Sequence, residues 1–148
     1  MRPYVAVVGP GEASPEQLAM AEQVGGELAR RGAVVVSGGM GGAMEAACRG
    51  ARQAGGTTVG ILPGFDRAAA NEFVDVALPT GLGEARNALV VRAADVLIAV
   101  GGGFGTLSEI ALALKSGKRV IGLDTWELPA EGIEPASSAE EAVAMALA

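Results

Sequence analysis

Val96-Leu97-Ile98-Ala99-Val100-Gly101-Gly102-Gly103-Phe104-Gly105-Thr106 joins an apolar run to closely spaced glycines, and a helical pattern of apolar residues follows from Leu107. The apolar run predicts a buried β-strand, and the spacing after it predicts an amphipathic helix. Four glycines among residues 101–105 leave the turn without Cβ atoms, so that backbone N–H groups can approach an anion at the start of the helix. The junction is typical of a site that binds a phosphate ester.

Short apolar runs and helix-length segments alternate along the rest of the chain. The pattern predicts strands over residues 5–8, 33–36, 58–62, 74–78, 96–100 and 119–123, and helices over about 15–31, 42–54, 83–94, from 107, and after Ser138. A capping box, Ser14 with Gln17, precedes the first helix. Strands that are apolar on both faces and separated by helices indicate a mainly parallel sheet covered on both sides. We therefore predict a single domain, residues 1–148, with a three-layer, doubly wound, Rossmann-like α/β fold of six or seven strands.

Composition excludes several kinds of function. The chain has no histidine, which excludes Ser-His-Asp and Cys-His catalysis and every His-ligated metal site, and we expect no metal ligands. The net charge of −6 argues against nucleic-acid binding, which depends on clustered Lys and Arg. One cysteine, Cys48, excludes an intrachain disulfide, and residues 4–8 are too few for a signal peptide or a membrane span. We expect a cytoplasmic protein that binds neither nucleic acid nor a membrane.

The glycine clusters all follow predicted strands. They lie at residues 9–11, 38–42, 79–81 and 101–105, and loops after parallel strands gather at one edge of the sheet. We expect a phosphorylated, nucleotide-like ligand to bind there. The candidate ligand-binding residues are Gly38, Gly39, Met40, Gly41, Arg86, Asn87, Gly102, Gly103, Phe104, Gly105 and Thr106.

Two charged residues at this edge allow two interpretations each. Glu109 completes the pattern Thr106-Leu107-Ser108-Glu109, which is a helix capping box, or it acts as a catalytic carboxylate. Arg86 is an exposed helix arginine in a weak ion pair, or a forked donor to a phosphate or ribose hydroxyl. Trp126, after the sixth strand, is expected at the surface or in a dimer contact.

The glycine loop resembles a signature of a known protein family. Gly101-Gly102-Gly103-Phe104-Gly105-Thr106-Leu107-Ser108-Glu109 resembles the Pro-Gly-Gly-x-Gly-Thr-x-x-Glu signature of the Lonely Guy (LOG) phosphoribohydrolases, once mislabelled lysine decarboxylases. Ser37-Gly38-Gly39-Met40-Gly41-Gly42-Ala43-Met44 is similar to their earlier glycine element, and Arg86-Asn87 stands where they carry Arg-Lys. Stretches such as Thr80–Asn87 more closely resemble a smaller branch that includes molybdenum-cofactor carrier proteins.

The resemblance implies two alternative functions, and both stay open at this point. A LOG-like enzyme would hydrolyse the N-glycosidic bond of a nucleoside 5′-monophosphate, with Glu109 and Arg86 as catalytic residues and residues 102–106 on the phosphate. A carrier would hold the molybdenum cofactor or a related nucleotide and release it unchanged. Neither requires a metal or redox cofactor of its own, although a nucleotide or molybdopterin-type ligand is expected in the site. The resemblance also implies a homodimer or a higher homo-oligomer.

Overall fold

The strands form one parallel sheet. The computed structural model describes residues 1–128 and 132–148. The strands within these ranges are β1 (Tyr4–Val8), β2 (Val34–Ser37), β3 (Thr58–Leu62), β4 (Val76–Pro79), β5 (Val96–Val100), β6 (Val120–Leu123) and β7 (Ile133–Pro135). Their order across the sheet is β4-β3-β2-β1-β5-β6-β7, and every neighbouring pair is parallel. The predicted doubly wound α/β fold is confirmed. The seventh strand, β7, could not be located from the sequence because no apolar run marks it.

Helices cover both faces of this sheet. They are α1 (Pro15–Arg30), α2 (Ala43–Gln53), α3 (Asn87–Ala93), α4 (Phe104–Lys115) and α5 (Ala139–Ala146), and short 3₁₀ turns lie at Arg67–Ala69 and Gly83–Arg86. The predicted capping box before α1 is present, with the Gln17 backbone N–H donating to the Ser14 hydroxyl at 3.2 Å. Within the described part of the chain, no helix is both long enough and apolar enough to cross a membrane.

Each face of the sheet packs against its own hydrophobic core. Neighbouring residues of a strand point to opposite faces, so that Val5 and Val7 pack with α1, α2 and α5. Ala6 and Val8 pack instead with α3 and α4. These side chains are at most 1% exposed. The strand ends that carry the glycine loops are therefore held by a rigid three-layer core.

Part of the α3 side of the sheet is open. The short helix α3 packs on β1 and β2, whereas β4, at the edge, keeps Val76 and Leu78 at 46% and 48% exposure. A cavity of about 700 Å³ lies over this face, and Tyr4 and Val59 also line it. An exposed apolar surface of this kind is typical of an interaction face.

The structure differs from the sequence prediction at the start of α4. We expected the helix to begin at Leu107, but it begins at Phe104, after Gly103 as its N-cap residue. Thr106 is therefore inside the first turn instead of at the N-cap, and the capping-box interpretation of Glu109 is wrong. The reason is that the glycines permit helical as well as extended backbone, so that composition alone does not locate the boundary.

Candidate functional site

The candidate site lies where the winding of the sheet changes direction. β1 has β2 on one side and β5 on the other, so that the chain leaves β1 and β5 in opposite directions and a crevice opens between their loops. A cavity of about 310 Å³ is found there. It is lined by Gly9, Pro10, Gly11, Met44, Arg86, Asn87, Gly103, Phe104, Gly105, Thr106 and Glu109.

The N-terminus of α4 forms one wall of this cavity. The first helical hydrogen bond runs from the Leu107 N–H to the Gly103 carbonyl at 2.9 Å. The N–H groups of Phe104, Gly105 and Thr106 precede it, and such groups have no acceptor within their own helix. Together with the helix dipole they favour an anion at this wall.

Thr106 adds a buried hydroxyl to the same wall. The residue is 2% exposed, and its Oγ1 has no hydrogen-bond partner among residues 1–128 and 132–148. A buried hydroxyl that gains no hydrogen bond destabilises the fold. An oxygen of a bound ligand would give this hydroxyl a partner.

Arg86 reaches the cavity from the 3₁₀ turn after β4. Its Nε donates to the Ile61 carbonyl at 2.9 Å, its Nη2 to the Gly38 carbonyl at 3.4 Å, and its Nη1 to the Asn87 side-chain oxygen. Since a guanidinium has five N–H groups, two are left without a partner in the described residues. Burial lowers the pKa of Arg86, and the nearby Glu109 opposes that change. The side chain is thus held in place and still able to donate to a ligand.

Gly38 makes room for that guanidinium. A Cβ at this position would lie 2.8 Å from Arg86 Nη2 and 2.8 Å from Met44 Sδ. Both distances are shorter than van der Waals contact, so a larger residue would displace one of the two side chains. Gly38 therefore shapes the site through Arg86.

Asn87 connects Arg86 to the start of α4. Its Nδ2 donates to the Ser108 hydroxyl at 3.0 Å, and that hydroxyl donates to the Gly105 carbonyl at 2.7 Å. Asn87 is 8% exposed, and its amide oxygen already accepts from Arg86. Asn87 lines the cavity, and its amide is engaged on both sides by protein groups, so it positions the arginine and the loop.

Glu109 lies deep in the cavity. The residue is 7% exposed, and burial raises the pKa of its carboxyl from 4.5 to about 7, while Arg86 acts to lower it. A group with this pKa is divided between its acid and carboxylate forms at neutral pH, which suits proton transfer. Glu109 lies one turn of α4 beyond Thr106, and the two residues line the same cavity.

The cavity lining contains most of the residues predicted for the site, but not the predicted residues 38–41 of the β2 loop. Gly39 and Met40 direct their carbonyls to Asn71 at 2.9 Å each. None of the four predicted residues 38–41 lines the cavity, and neither does Gly102, which packs towards Trp126. Their contact with a ligand stays a prediction.

Three residues at the site were not predicted as site residues from the sequence. Met44 and Pro10 line the cavity, although only their loops had been singled out. Trp126, expected in a surface or dimer contact, donates from Nε1 to the Gly103 carbonyl at 3.1 Å and stacks on Phe104. Trp126 follows β6 in the sequence. This position indicates closeness to the β5 glycine loop only when β6 is known to lie beside β5.

Comparison with known proteins agrees with the fold. The sequence model of the SLOG cluster4 family matches residues 2–147. The structure is similar to that of the molybdenum cofactor binding protein of Rippkaea orientalis, with a TM-score of 0.92 and 42% identity over 98% of this chain and 95% of that one. The molybdenum cofactor carrier protein of Chlamydomonas reinhardtii gives a TM-score of 0.90 and 38% identity, over 98% and 96%.

A more distant sequence relative is an enzyme. The cytokinin riboside 5′-monophosphate phosphoribohydrolase of Mycobacterium tuberculosis is 34% identical over 120 residues, which are 75% of this chain and 64% of the enzyme. The resemblance to LOG-like proteins and to the molybdenum-cofactor carriers is thus confirmed.

Proposed function

This chain belongs to the SLOG cluster4 family, and from that premise we propose that it binds and carries a phosphorylated ligand of the molybdenum-cofactor type. The ligand is held in the cavity between the β1 loop and the start of α4. The proposal is supported by the two structural relatives, which are named for binding and carrying that cofactor. In this proposal the ligand is cargo that leaves unchanged.

The buried hydroxyl of Thr106 is the observation that carries the proposal. It lines the cavity without a partner among the described residues, beside three backbone N–H groups at a helix N-terminus and two free N–H groups of Arg86. A phosphate has enough oxygen acceptors for all of these donors, and its charge suits both the helix dipole and the guanidinium. The cavity volume of about 310 Å³ is at the lower end of the range for small-molecule sites, roughly 300–1,000 Å³.

Thr106→Val tests the phosphate site. The substitution removes the hydroxyl at nearly constant volume, so we expect the affinity for inorganic phosphate to fall about tenfold. The ligand-free protein should become slightly more stable, because an unpartnered buried hydroxyl is gone. Calorimetric titration and urea denaturation measure the two effects, and Thr57→Val, in the loop before β3, serves as control. Unchanged phosphate affinity in Thr106→Val would contradict the site.

A second measurement identifies the cargo. The protein is purified, heated to unfold it, and the released small molecules are analysed by mass spectrometry. A phosphorylated pterin that leaves intact is the expected result. A protein that carries no pterin and does not bind an added one would argue against the carrier function.

One observation favours a second candidate function. Glu109, with its pKa raised to about 7, shares the cavity with Arg86, and a carboxylate near a phosphoribosyl group can stabilise the oxocarbenium-like state of N-glycosidic bond cleavage. The protein would then hydrolyse nucleoside 5′-monophosphates to free base and ribose 5-phosphate. Chromatography of a nucleotide panel after incubation detects the base. Release that Glu109→Gln abolishes would establish the hydrolase, and absence of release supports the carrier.

The assembly and the location belong to the same proposal. The homodimer is supported by the family resemblance, and the cytoplasmic location by the single cysteine. Both stay predictions.

A further inference from the structure

Phe104 is an exposed aromatic residue at the rim of the candidate site. It lines the cavity, it is 84% exposed, and it is the first residue of α4. We propose that Phe104, held by Trp126, is the platform on which a planar heteroaromatic ring of the ligand stacks. The site thereby selects ring-bearing phosphate esters over simple sugar phosphates. This inference rests on the proposed function and adds a specificity-determining residue to it.

Trp126 fixes the orientation of the platform. The ring centroids of Phe104 and Trp126 are 6.1 Å apart, with 28° between the ring planes. Trp126 is itself anchored, because its Nε1 donates to the Gly103 carbonyl at 3.1 Å. A Cβ on Gly102 would lie only 3.1 Å from the same nitrogen, so that the indole packs directly on the glycine backbone. Trp126 therefore contacts part of Phe104, and most of the Phe104 ring surface remains available.

The platform and the phosphate donors belong to the same helical turn. Phe104 contributes to the anion wall a backbone N–H that has no acceptor within its own helix. Its side chain provides the aromatic surface next to that N–H. A ligand whose phosphate is held at this wall therefore has the ring of Phe104 beside it. Stacking of a base on an aromatic side chain is sequence-tolerant and strong enough to change affinity by about tenfold or more.

The exposure of Phe104 is otherwise unfavourable. A large apolar side chain gains stability when it leaves water, and Phe104 gains little of that from its partial contact with Trp126. A ligand ring on the open face would remove that surface from water, which would add to the stacking interaction.

Two probes separate the ring from the phosphate. Ribose 5-phosphate carries the phosphate and sugar only, and guanosine 5′-monophosphate carries the same groups with a planar ring. Calorimetric titration of the wild-type protein should give about tenfold tighter binding of the nucleotide. Phe104→Leu keeps an apolar side chain but removes the ring, so we expect the nucleotide to bind no more tightly than the sugar phosphate. Phe65→Leu is the matched control, because Phe65 is 89% exposed and lies outside the cavity.

Each outcome decides the inference. If both probes bind and Phe104→Leu leaves the ratio of nucleotide affinity to sugar-phosphate affinity unchanged, the platform is overturned. The phosphate site is not affected by that result. Failure of both probes to bind the wild-type protein overturns the proposed function together with this inference. Light scattering supplies the last comparison: if Phe104→Leu dissociates a dimer, a second copy covers the ring, and the platform is again overturned.

Discussion

Replacing Gly38 by alanine should weaken phosphate binding while leaving the fold nearly intact. The new Cβ would lie 2.8 Å from both Arg86 Nη2 and Met44 Sδ, so Arg86 must move by about 0.6 Å to restore ordinary contact. Its hydrogen bond to the Gly38 carbonyl is already 3.4 Å long and would be lost. A charge-assisted hydrogen bond contributes about 1.5–3 kcal/mol. The displaced guanidinium of Arg86 would also lose one hydrogen bond to the bound phosphate. That loss raises the Kd for phosphate by at least about tenfold.

The stability of the variant should change little. Met44 and Arg86 touch the new methyl with the far ends of flexible side chains, which can shift, and Gly38 has no left-handed backbone conformation. Overpacking costs about 1 kcal/mol here, and an alanine recovers part of it because it restricts the unfolded chain. We expect the free energy of unfolding to fall by about 1 kcal/mol or less.

Gly64→Ala is the matched control, since a Cβ at Gly64 meets nothing within 4 Å and Gly64 does not line the cavity. Calorimetric titration with inorganic phosphate compares the two variants, and urea denaturation compares their stability. A double-mutant cycle with Arg86→Ala shows whether Gly38 acts through the arginine, in which case the two losses are not additive. Equal losses of phosphate affinity in Gly38→Ala and Gly64→Ala, or full additivity with Arg86→Ala, would refute the reasoning.

Three further perturbations test other parts of the molecule. Burial raises the pKa of Glu109 above its ordinary value of 4.5 to about 7. Between these two pH values the folded protein therefore retains a proton that the unfolded chain loses. The free energy of unfolding should fall by about 3 kcal/mol as the pH rises through this range. Urea denaturation at pH 5 and pH 8 should show this fall in the wild type and not in Glu109→Gln. The same pH dependence of stability in both proteins would contradict the raised pKa of Glu109. Lys118 donates to the carbonyls of Val91 and Arg92 at 2.7 and 3.1 Å near the C-terminus of α3, so Lys118→Met should lower the melting temperature through a loss of about 1 kcal/mol, with Lys115→Met as control. Leu78→Asp tests the predicted homodimer on the open sheet face: light scattering should find two chains for the wild type and one for the variant, and two chains in both would exclude this face.

Much of the fold could be predicted because its signals are local. The run Val96–Val100 is apolar at every position, which is typical of a strand buried on both faces, and the Ser14 capping box located the start of α1 within the chain. By contrast, the three residues Ile133–Pro135 form β7 through pairing with β6. A strand this short has no periodicity of its own.

The candidate site was predicted in part. The glycines after β5 and the charged residues Arg86 and Glu109 stand out by type and spacing. The first turn of α4 was missed, however, because Gly103 and Gly105 suit a loop as well as a helix. The engagement of Asn87 with Ser108 was missed because these residues are 21 positions apart and their contact depends on how α3 and α4 pack.

By itself, the sequence determined the alternation of strands and helices, the glycine turns that open the backbone to an anion, and the exclusion of histidine chemistry. Only the tertiary structure decided that β1 lies beside β5, that the guanidinium of Arg86 rests against Gly38, and that Trp126 supports Phe104. The physical reason is that strand and turn preferences arise from neighbouring residues. Contacts between loops depend instead on strand order, which is set by how all the apolar faces are buried together.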